Sequence, residues 1–127
     1  MHGTSTFPKS ERLQRGHQFR HAYEHGRKVV GPLFVLYAVD SPPGKPSAGA
    51  VASHAVGVVT SRKIGGAVTR NRARRLLREA YRLNKQKLKA NLQIVMIARS
   101  AINGKRRQDV EAELLRLFRA VDILNEA

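Results

Sequence analysis

The sequence predicts an α/β (α+β) two-layer sandwich, in which one mixed sheet of about four strands packs against helices. Three observations lead to this prediction. Short runs rich in Val, Leu, Ile and aromatic residues are typical of strands, longer segments repeat apolar residues at helical intervals, and Gly- or Pro-rich stretches separate them. The segments follow in the order helix, strand, strand, helix, strand, helix, which favours one sheet backed by helices.

The length and composition of the chain limit its class. A chain of 127 residues is the size of a single domain with its own core, so we treat residues 1–127 as one domain and the polar residues 1–10 as a loose arm. The absence of cysteine excludes disulfides and thiolate zinc sites. The amino-terminal residues lack the apolar core of a signal peptide, and no apolar run is long enough to span a bilayer. We therefore expect a cytoplasmic protein without a membrane partner.

The first half of the chain predicts one helix and two strands. The stretch GHQFRHAYEH predicts a helix over 16–25, because it is followed by a glycine and places two aromatic residues on one face. Residues 28–40 are rich in Val, Leu and aromatics and predict one strand. The stretch SPPGKPSAGA then predicts a surface loop over 41–53, and alternation over 54–61 predicts a second strand.

The second half predicts a basic helix, a buried strand and a final helix. The basic helix is expected over about 68–90, and LQIVMIA predicts a buried strand over 92–98. The final helix is expected within 108–126 and has a net negative charge, so we expect it to lie away from any polyanion. Its apolar residues recur at helical intervals: Val110, Leu114, Leu117, Phe118, Val121 and Leu124.

The charge of the chain points to a polyanionic partner. The net charge is +15, and residues 60–90 alone contain eleven Lys and Arg but only one acidic residue, Glu79. A solvated helix face normally mixes charges of both signs at i,i+4 spacing, and this segment does not. Its apolar side consists mostly of Ala and Leu with one Tyr, unlike that of a helix lying on a membrane. The segment therefore predicts binding to nucleic acid.

A helical projection sorts the basic helix into two faces. Arginine predominates over 70–82, and a planar guanidinium can grip two phosphate oxygens or stack on a base. The glycines of KIGGAV, just before the helix, let backbone amides approach a phosphate closely. The apolar arc comprises Ala73, Leu76, Leu77, Ala80, Tyr81 and Leu88; the opposite arc comprises Asn71, Arg74, Arg75, Arg78, Arg82, Lys85 and Lys89.

The stretch SRKIGGAVTRNRARRLLREAYR, residues 61–82, resembles the signature of the bacterial ribonuclease P protein subunit. The similarity covers about residues 11–121: RLQRGHQFRHAYEHGR is similar to the first helix of the family, LFVLYAVD and AVGVVTS to its strands, and QIVMIAR to the strand after the signature helix. Two departures are visible. Arg62 and Arg74 stand where the pattern usually has Lys, and Gln93 stands where it often has Asp, which puts any carboxylate role there in doubt.

The resemblance implies a function and a topology. It implies an RNA-binding subunit of an endoribonuclease that removes the 5′ leader from precursor tRNA. The catalytic RNA subunit would hold the Mg²⁺ ions, and the protein chain alone would be inactive. Its expected partners are the ribonuclease P RNA and the precursor tRNA, with no further protein. The family also implies a left-handed connection between the strands before and after the signature helix, against the right-handed rule for such units.

The resemblance also assigns candidate site residues. The leader-binding cleft would lie between the first helix and the sheet, with Phe19, Tyr23 and Tyr37 as a stacking platform for bases. Aromatic residues at such spacing are more often part of a core, so both readings of these three stay open. The expected RNA-subunit-binding residues are Lys63, Arg70, Asn71, Arg72, Arg74, Arg75, Arg78 and Arg82.

The same residues also bear on other functions. A self-sufficient nuclease needs paired carboxylates or a metal cluster, whereas the acidic residues here are scattered or lie in the final helix; Glu79 is expected to pair with neighbouring arginines. His17, His21 and His25 have a spacing that could hold a transition metal, but no completing ligand set accompanies them, and a polar helix face is the simpler reading. The main alternative is a structural RNA-binding protein of the ribosome.

Overall fold

The structure is a computed structural model that describes residues 16–40 and 54–125, with side chains from Phe19 onward in the first segment. The predicted arm at 1–10 and the predicted loop at 41–53 lie outside the described residues. The described segments form three α-helices and four strands. In chain order they are α1 (Gly16–His25), β1 (Arg27–Val30), β2 (Phe34–Asp40), β3 (His54–Val59), α2 (Ala67–Asn84), β4 (Leu92–Ala98) and α3 (Arg107–Ala120).

The four strands form one mixed sheet in the order β1-β2-β4-β3. The β1–β2 and β2–β4 pairs are antiparallel, and the β3–β4 pair is parallel. The predicted fold class, a mixed four-stranded sheet packed with helices, is confirmed. Helix α2 connects the parallel neighbours β3 and β4, and the left hand expected for this connection stays a prediction.

The central strand β4 explains the most apolar run of the sequence. It lies between β2 and β3, and six of its seven residues are buried. A strand covered on both faces needs apolar side chains at consecutive positions rather than at alternate ones. The prediction of a buried strand at 92–98 is confirmed in both bounds and burial.

The main core lies between one face of the sheet and the helices α2 and α3. Phe34, Leu36 and Ala38 of β2 alternate into it, and Tyr81 of α2 and Phe118 of α3 are its largest fully buried side chains besides Phe34. Helix α1 packs on the opposite face, where Ala22 and Val95 form a smaller cluster. The two faces of the sheet are therefore covered by different helices. No described helix is long and apolar enough to cross a membrane.

The prediction of a single strand over 28–40 is wrong, because the chain turns at Gly31-Pro32-Leu33 and forms the hairpin of β1 and β2. The backbone N–H of Gly31 donates to the carbonyl of Phe34 at 3.0 Å, and proline has no N–H for a ladder. A carboxylate from α3 completes the turn: Glu113 Oε2 accepts from the N–H of Leu33 at 2.7 Å. Leu117 and Glu113 lie so close that a Cβ on Gly31 would meet Glu113 Oε2 at 2.4 Å.

The basic helix is shorter than predicted, since α2 ends at Asn84 rather than near residue 90. The Asn84 side chain donates to the Ala80 carbonyl at 2.8 Å and to Glu111 Oε1 at 3.1 Å, which ties this end of α2 to α3. A 3-10 turn follows, and Leu88 then pairs with Leu124 in an antiparallel bridge. That bridge requires extended backbone, so neither leucine belongs to a helix.

The final helix is also shorter than predicted. Helix α3 ends at Ala120, and Asp122 has a positive φ of 58°, which breaks the helical path. Val121, Ile123 and Leu124 nevertheless remain buried, because the chain folds back beside the end of α2. The predicted apolar stripe therefore reaches the core, although its last part does so outside the helix.

A buried polar contact holds β3 to this region. His54 Nδ1 lies 2.9 Å from the Tyr81 hydroxyl, and His54 Nε2 lies 2.8 Å from the Lys89 carbonyl oxygen. A carbonyl oxygen can only accept, so Nε2 carries a proton and donates to the Lys89 carbonyl. This contact fixes the start of β3 against α2.

Candidate nucleic-acid interface

Helix α2 has the two faces that the sequence predicts. Ala73, Leu77, Ala80 and Tyr81 are buried, and Leu76 packs against them. Of the predicted RNA-binding residues, Asn71, Arg72 and Arg75 are exposed, and Arg70, Arg74, Arg78 and Arg82 are partly buried at the flanks. Lys63 is exposed in a 3-10 turn just before the helix. The predicted basic residues therefore stay on the surface and the predicted apolar ones enter the core.

Arg74 is fixed on the β3 side of the helix. Its guanidinium donates to Asn71 Oδ1 at 2.8 Å and to Thr60 Oγ1 at 2.7 Å. Because Oδ1 of Asn71 is engaged in this way, the amide NH₂ of Asn71 is turned outward as a donor. Arg74 thus orients its neighbour and holds the end of β3 to α2.

The beginning of α2 presents backbone donors. Gly66 is the N-cap, and no side chain forms a capping hydrogen bond there. A Cβ added to Gly66 would have no neighbouring heavy atom within 4 Å among the described residues. The first N–H groups of an α-helix have no partner within the helix and attract anions. The preceding residue, Gly65, has a φ of 143°, which favours glycine. The open space at Gly66 therefore leaves room for an anion to approach these N–H groups.

A distant segment extends the basic surface at this end of α2. Asn103 Nδ2 donates to the Ile64 carbonyl at 2.9 Å, and Arg72 donates to the carbonyl of Lys105. These contacts bring the exposed Lys105 and Arg106 next to residues that the sequence had assigned to RNA. Sequence reasoning missed this segment, although its run GKRR carries the charge that could have indicated it.

The basic face of α2 is partly neutralised by an acidic side chain near the carboxyl-terminal end of the helix. Glu79 pairs with Arg82, with Oε1 and Nη2 2.8 Å apart, which confirms the expected intrahelical role of Glu79. The hydrogen bond from Arg82 lowers the pKa of Glu79 below its usual value, although desolvation opposes this change. The placement of Lys89 on the helical stripe is wrong, because α2 ends before it and its Nζ lies 3.7 Å from Asp122 Oδ2.

The predicted aromatic residues meet on the opposite face of the sheet. The rings of Tyr23 and Tyr37 are in edge-to-face contact, with centroids 4.9 Å apart and planes at 71°. Phe19 and Tyr37 are partly buried against the cluster of Ala22 and Val95. Tyr23 is 41% exposed, so the group is neither a closed core nor a free surface. Burial, and secondarily the neighbouring Tyr37, raises the pKa of the Tyr23 hydroxyl above its ordinary value.

A lysine that the sequence did not single out stands beside these rings. Lys28 in β1 pairs with Tyr37 in β2, and its Nζ lies 5.7 Å from the centroid of the Tyr37 ring. The sequence interpretation placed both residues in one strand, nine positions apart. That interpretation lacked the hairpin turn, which brings Lys28 and Tyr37 together.

The histidines of α1 form no ligand set in the described part of the protein. The rings of His21 and His25 lie 5.0 Å apart with a tilt of 44°, and the side chain of His17 lies outside the described residues. Within residues 16–40 and 54–125, no group of three His, Asp or Glu residues could hold a metal ion.

Comparisons with known proteins agree with one another. The family model described as Ribonuclease P matches residues 7–122. The "Ribonuclease P protein component" of Clostridium botulinum (strain Loch Maree / Type A3) is 35% identical over 118 residues, which cover 92% of this chain and 99% of the relative. That of Clostridium acetobutylicum is 36% identical over 110 residues, 87% of each chain.

Solved structures show the same fold. The ribonuclease P protein of Staphylococcus aureus superposes with a TM-score of 0.76 at 23% identity, covering 92% of this chain and all of that one. The protein of Thermotoga maritima gives a TM-score of 0.71 at 27% identity, covering 87% of this chain and 97% of that one.

Proposed function

The chain belongs to the ribonuclease P protein family, and on that premise we propose that it binds the catalytic RNA subunit through α2 and the 5′ leader of precursor tRNA through the aromatic face of the sheet. A protein component of ribonuclease P takes part in tRNA processing and has an RNA partner. The family membership also decides between the two RNA-binding functions that composition left open, in favour of ribonuclease P over the ribosome. The proposed place of action is the cytoplasm.

The observation that carries the proposal is the separation of two surfaces by one sheet. Helix α2 packs on the face formed by Phe34, Leu36 and Ala38, and Tyr37 points to the other face. One surface is rich in arginine, which suits the phosphates of a folded RNA, and the other is aromatic, which suits unstacked bases. Two RNA segments can therefore be bound at the same time without competing for the same residues.

Binding of the RNA subunit is supported by the beginning and middle of α2. Exposed Arg72 and Arg75 offer bidentate donors, and the uncapped helix start adds backbone N–H groups. Lys63, Lys105 and Arg106 surround that start. This combination provides several phosphate contacts on a surface held rigid by the contacts of Arg74, Asn103 and Ser100.

Catalysis is proposed to belong to the RNA subunit, which would hold most of the Mg²⁺. The described carboxylates of α2, α3 and the segments beside them are already engaged by the protein. Glu111 pairs with Arg107, Asp109 accepts from the Arg106 N–H, and Glu113 binds the hairpin turn. Within residues 16–40 and 54–125 no three His, Asp or Glu side chains are grouped to hold a metal ion, which supports the proposal that the chain alone is inactive.

The leader assignment is tested by Phe19→Ala in the assembled holoenzyme. We expect weaker binding of precursor tRNA, because each stacked base contributes on the order of 1–3 kcal/mol. Affinity for mature tRNA, which has no leader, and affinity for the RNA subunit should stay near those of the unmodified protein. The measurement is the Kd for both tRNA forms, beside the thermal stability of the variant.

A core role for Phe19 predicts a different result. Loss of a buried phenylalanine costs about 3–5 kcal/mol of folding stability and would lower every activity together. A collapse of stability, or an equal loss of affinity for precursor and mature tRNA, would contradict the leader assignment.

A further inference from the structure

Lys28 lies on the aromatic face because of the register of the β1–β2 hairpin. Successive residues of a strand point to opposite faces of the sheet, and two residues directly opposite each other on paired strands point to the same face. The partner of a residue therefore shows which face that residue occupies. Lys28 pairs with Tyr37, which belongs to the aromatic face, whereas the preceding residue, Arg27, pairs with Ala38, which belongs to the main core face. Both basic residues are exposed. One strand therefore offers two neighbouring cations, of which only Lys28 faces the tyrosines.

The charge of Lys28 is not compensated within the described part of the protein. Its ammonium nitrogen lies 5.7 Å from the Tyr37 ring centroid, and no residue in 16–40 or 54–125 forms an ion pair with it. An exposed cation–π contact is weak, and the lysine stem is flexible. The ammonium group can therefore move from the ring to an anion when a base takes its place over the ring.

We propose that Lys28 is a further residue of the leader-binding cleft, where it holds the phosphate beside a base that stacks on Tyr23 and Tyr37. The base stacks on the exposed tyrosine pair, and Lys28 Nζ contacts the adjoining phosphate. This inference rests on the proposed function, since the strand bound is the 5′ leader of precursor tRNA. The site has little base preference, because stacking uses the face that every base has and an ammonium group reads only the phosphate.

The test compares Lys28→Ala with Arg27→Ala in the holoenzyme. The two variants lose one positive charge from the same strand, but from opposite faces of the sheet. Kd is measured for precursor and mature tRNA at several salt concentrations. We expect Lys28→Ala to weaken precursor binding by roughly two- to fivefold, the range of an exposed ion pair. The slope of log affinity against log salt should fall by about 0.7, the value for one phosphate contact on a single strand.

Lys28→Arg should restore the slope, and Arg27→Ala should leave it unchanged. Lys28→Gln keeps the length of the side chain and is measured beside Lys28→Ala, with thermal melting of each variant, so that a folding defect is recognised. Equal slopes for Lys28→Ala, Lys28→Gln and the unmodified protein would overturn the inference. The same loss for Arg27→Ala, or for mature tRNA, would also overturn it, since the effect would then be one of net charge.

The outcomes for Phe19→Ala separate this inference from the function on which it rests. If Phe19→Ala weakens precursor binding and Lys28→Ala does not, the leader lies on the aromatic face and Lys28 has no part in holding it. If neither variant affects precursor binding, the leader is bound elsewhere, and both assignments are wrong.

Discussion

Gln93 is buried in the central strand with an unused hydrogen-bond acceptor. It is 8% exposed, and no residue within 16–40 or 54–125 forms a hydrogen bond with its Oε1. It pairs with Val39 and Ala55, and its side chain lies on the same face as Val95. The family pattern often has Asp at this position. An amide there avoids burying a negative charge but leaves a polar atom without a partner, which has a cost in stability.

The first prediction is that Gln93→Met stabilises the protein. Removing an unpaired buried acceptor while keeping the length of the side chain should raise the free energy of unfolding by about 1 kcal/mol. The midpoint and slope of urea unfolding measure it. Asn84→Leu is the matched control, because Asn84 is also buried but its Nδ2 donates two hydrogen bonds, so this variant should destabilise the protein. A loss of stability in Gln93→Met comparable with that of Asn84→Leu would contradict the prediction.

At the scale of elements, the sequence predicted correctly the helices and strands that are determined by their own residues. The predicted bounds of α1 and β4 agree with the structure, because α1 ends at a glycine and β4 is one unbroken apolar run. The prediction at 28–40 missed the local turn signal of Gly31-Pro32, and the prediction at 68–90 continued the helix past Asn84. Contacts that are distant in sequence hold both segments. Glu113 binds the turn after β1 from 80 residues away, and Leu88 pairs with Leu124 in an antiparallel bridge.

The candidate site was predictable to a similar extent. The basic face of α2 follows from local periodicity, so its exposed arginines could be found from the sequence. The run GKRR marks Lys105 as basic, but the places of Lys28 and Lys105 beside the site depend on the hairpin register and on the contacts of the segment before α3. Composition shows that a residue is charged, but only the fold shows what stands beside it.

The second prediction concerns the basic face of α2. Replacing Arg75 and Arg78 by Ala should weaken RNA-subunit binding and flatten its salt dependence, because each phosphate contact contributes nearly one unit to the log–log slope. Binding to the isolated RNA subunit is measured at several salt concentrations. Lys28→Ala is the control, because it lies on the other face of the sheet and should leave this slope unchanged. A slope unaltered by the double replacement would mean that this face is only solvated.

At the scale of the whole molecule, the protein has a net charge of +15. The third prediction is that the RNA-free protein does not cleave precursor tRNA, and that adding it lowers the Mg²⁺ concentration that the RNA subunit requires. A dense positive field can replace part of the divalent screening of phosphates. Cleavage is measured against Mg²⁺ for the RNA alone, the protein alone and the two together. Cleavage by rigorously RNA-free protein would contradict this prediction.

The central position of β4 also sets the order in which the molecule can fold. Leu36 in β2 pairs with Met96 in β4, 60 positions further along the chain. During synthesis the β1–β2 hairpin and β3 must wait for β4, while the apolar edge of β2 stays without its partner. Pairings so distant in sequence slow folding and leave unpaired edges open to aggregation. The basic helix α2 precedes β4 in the chain, so it leaves the ribosome before the sheet that supports it can close.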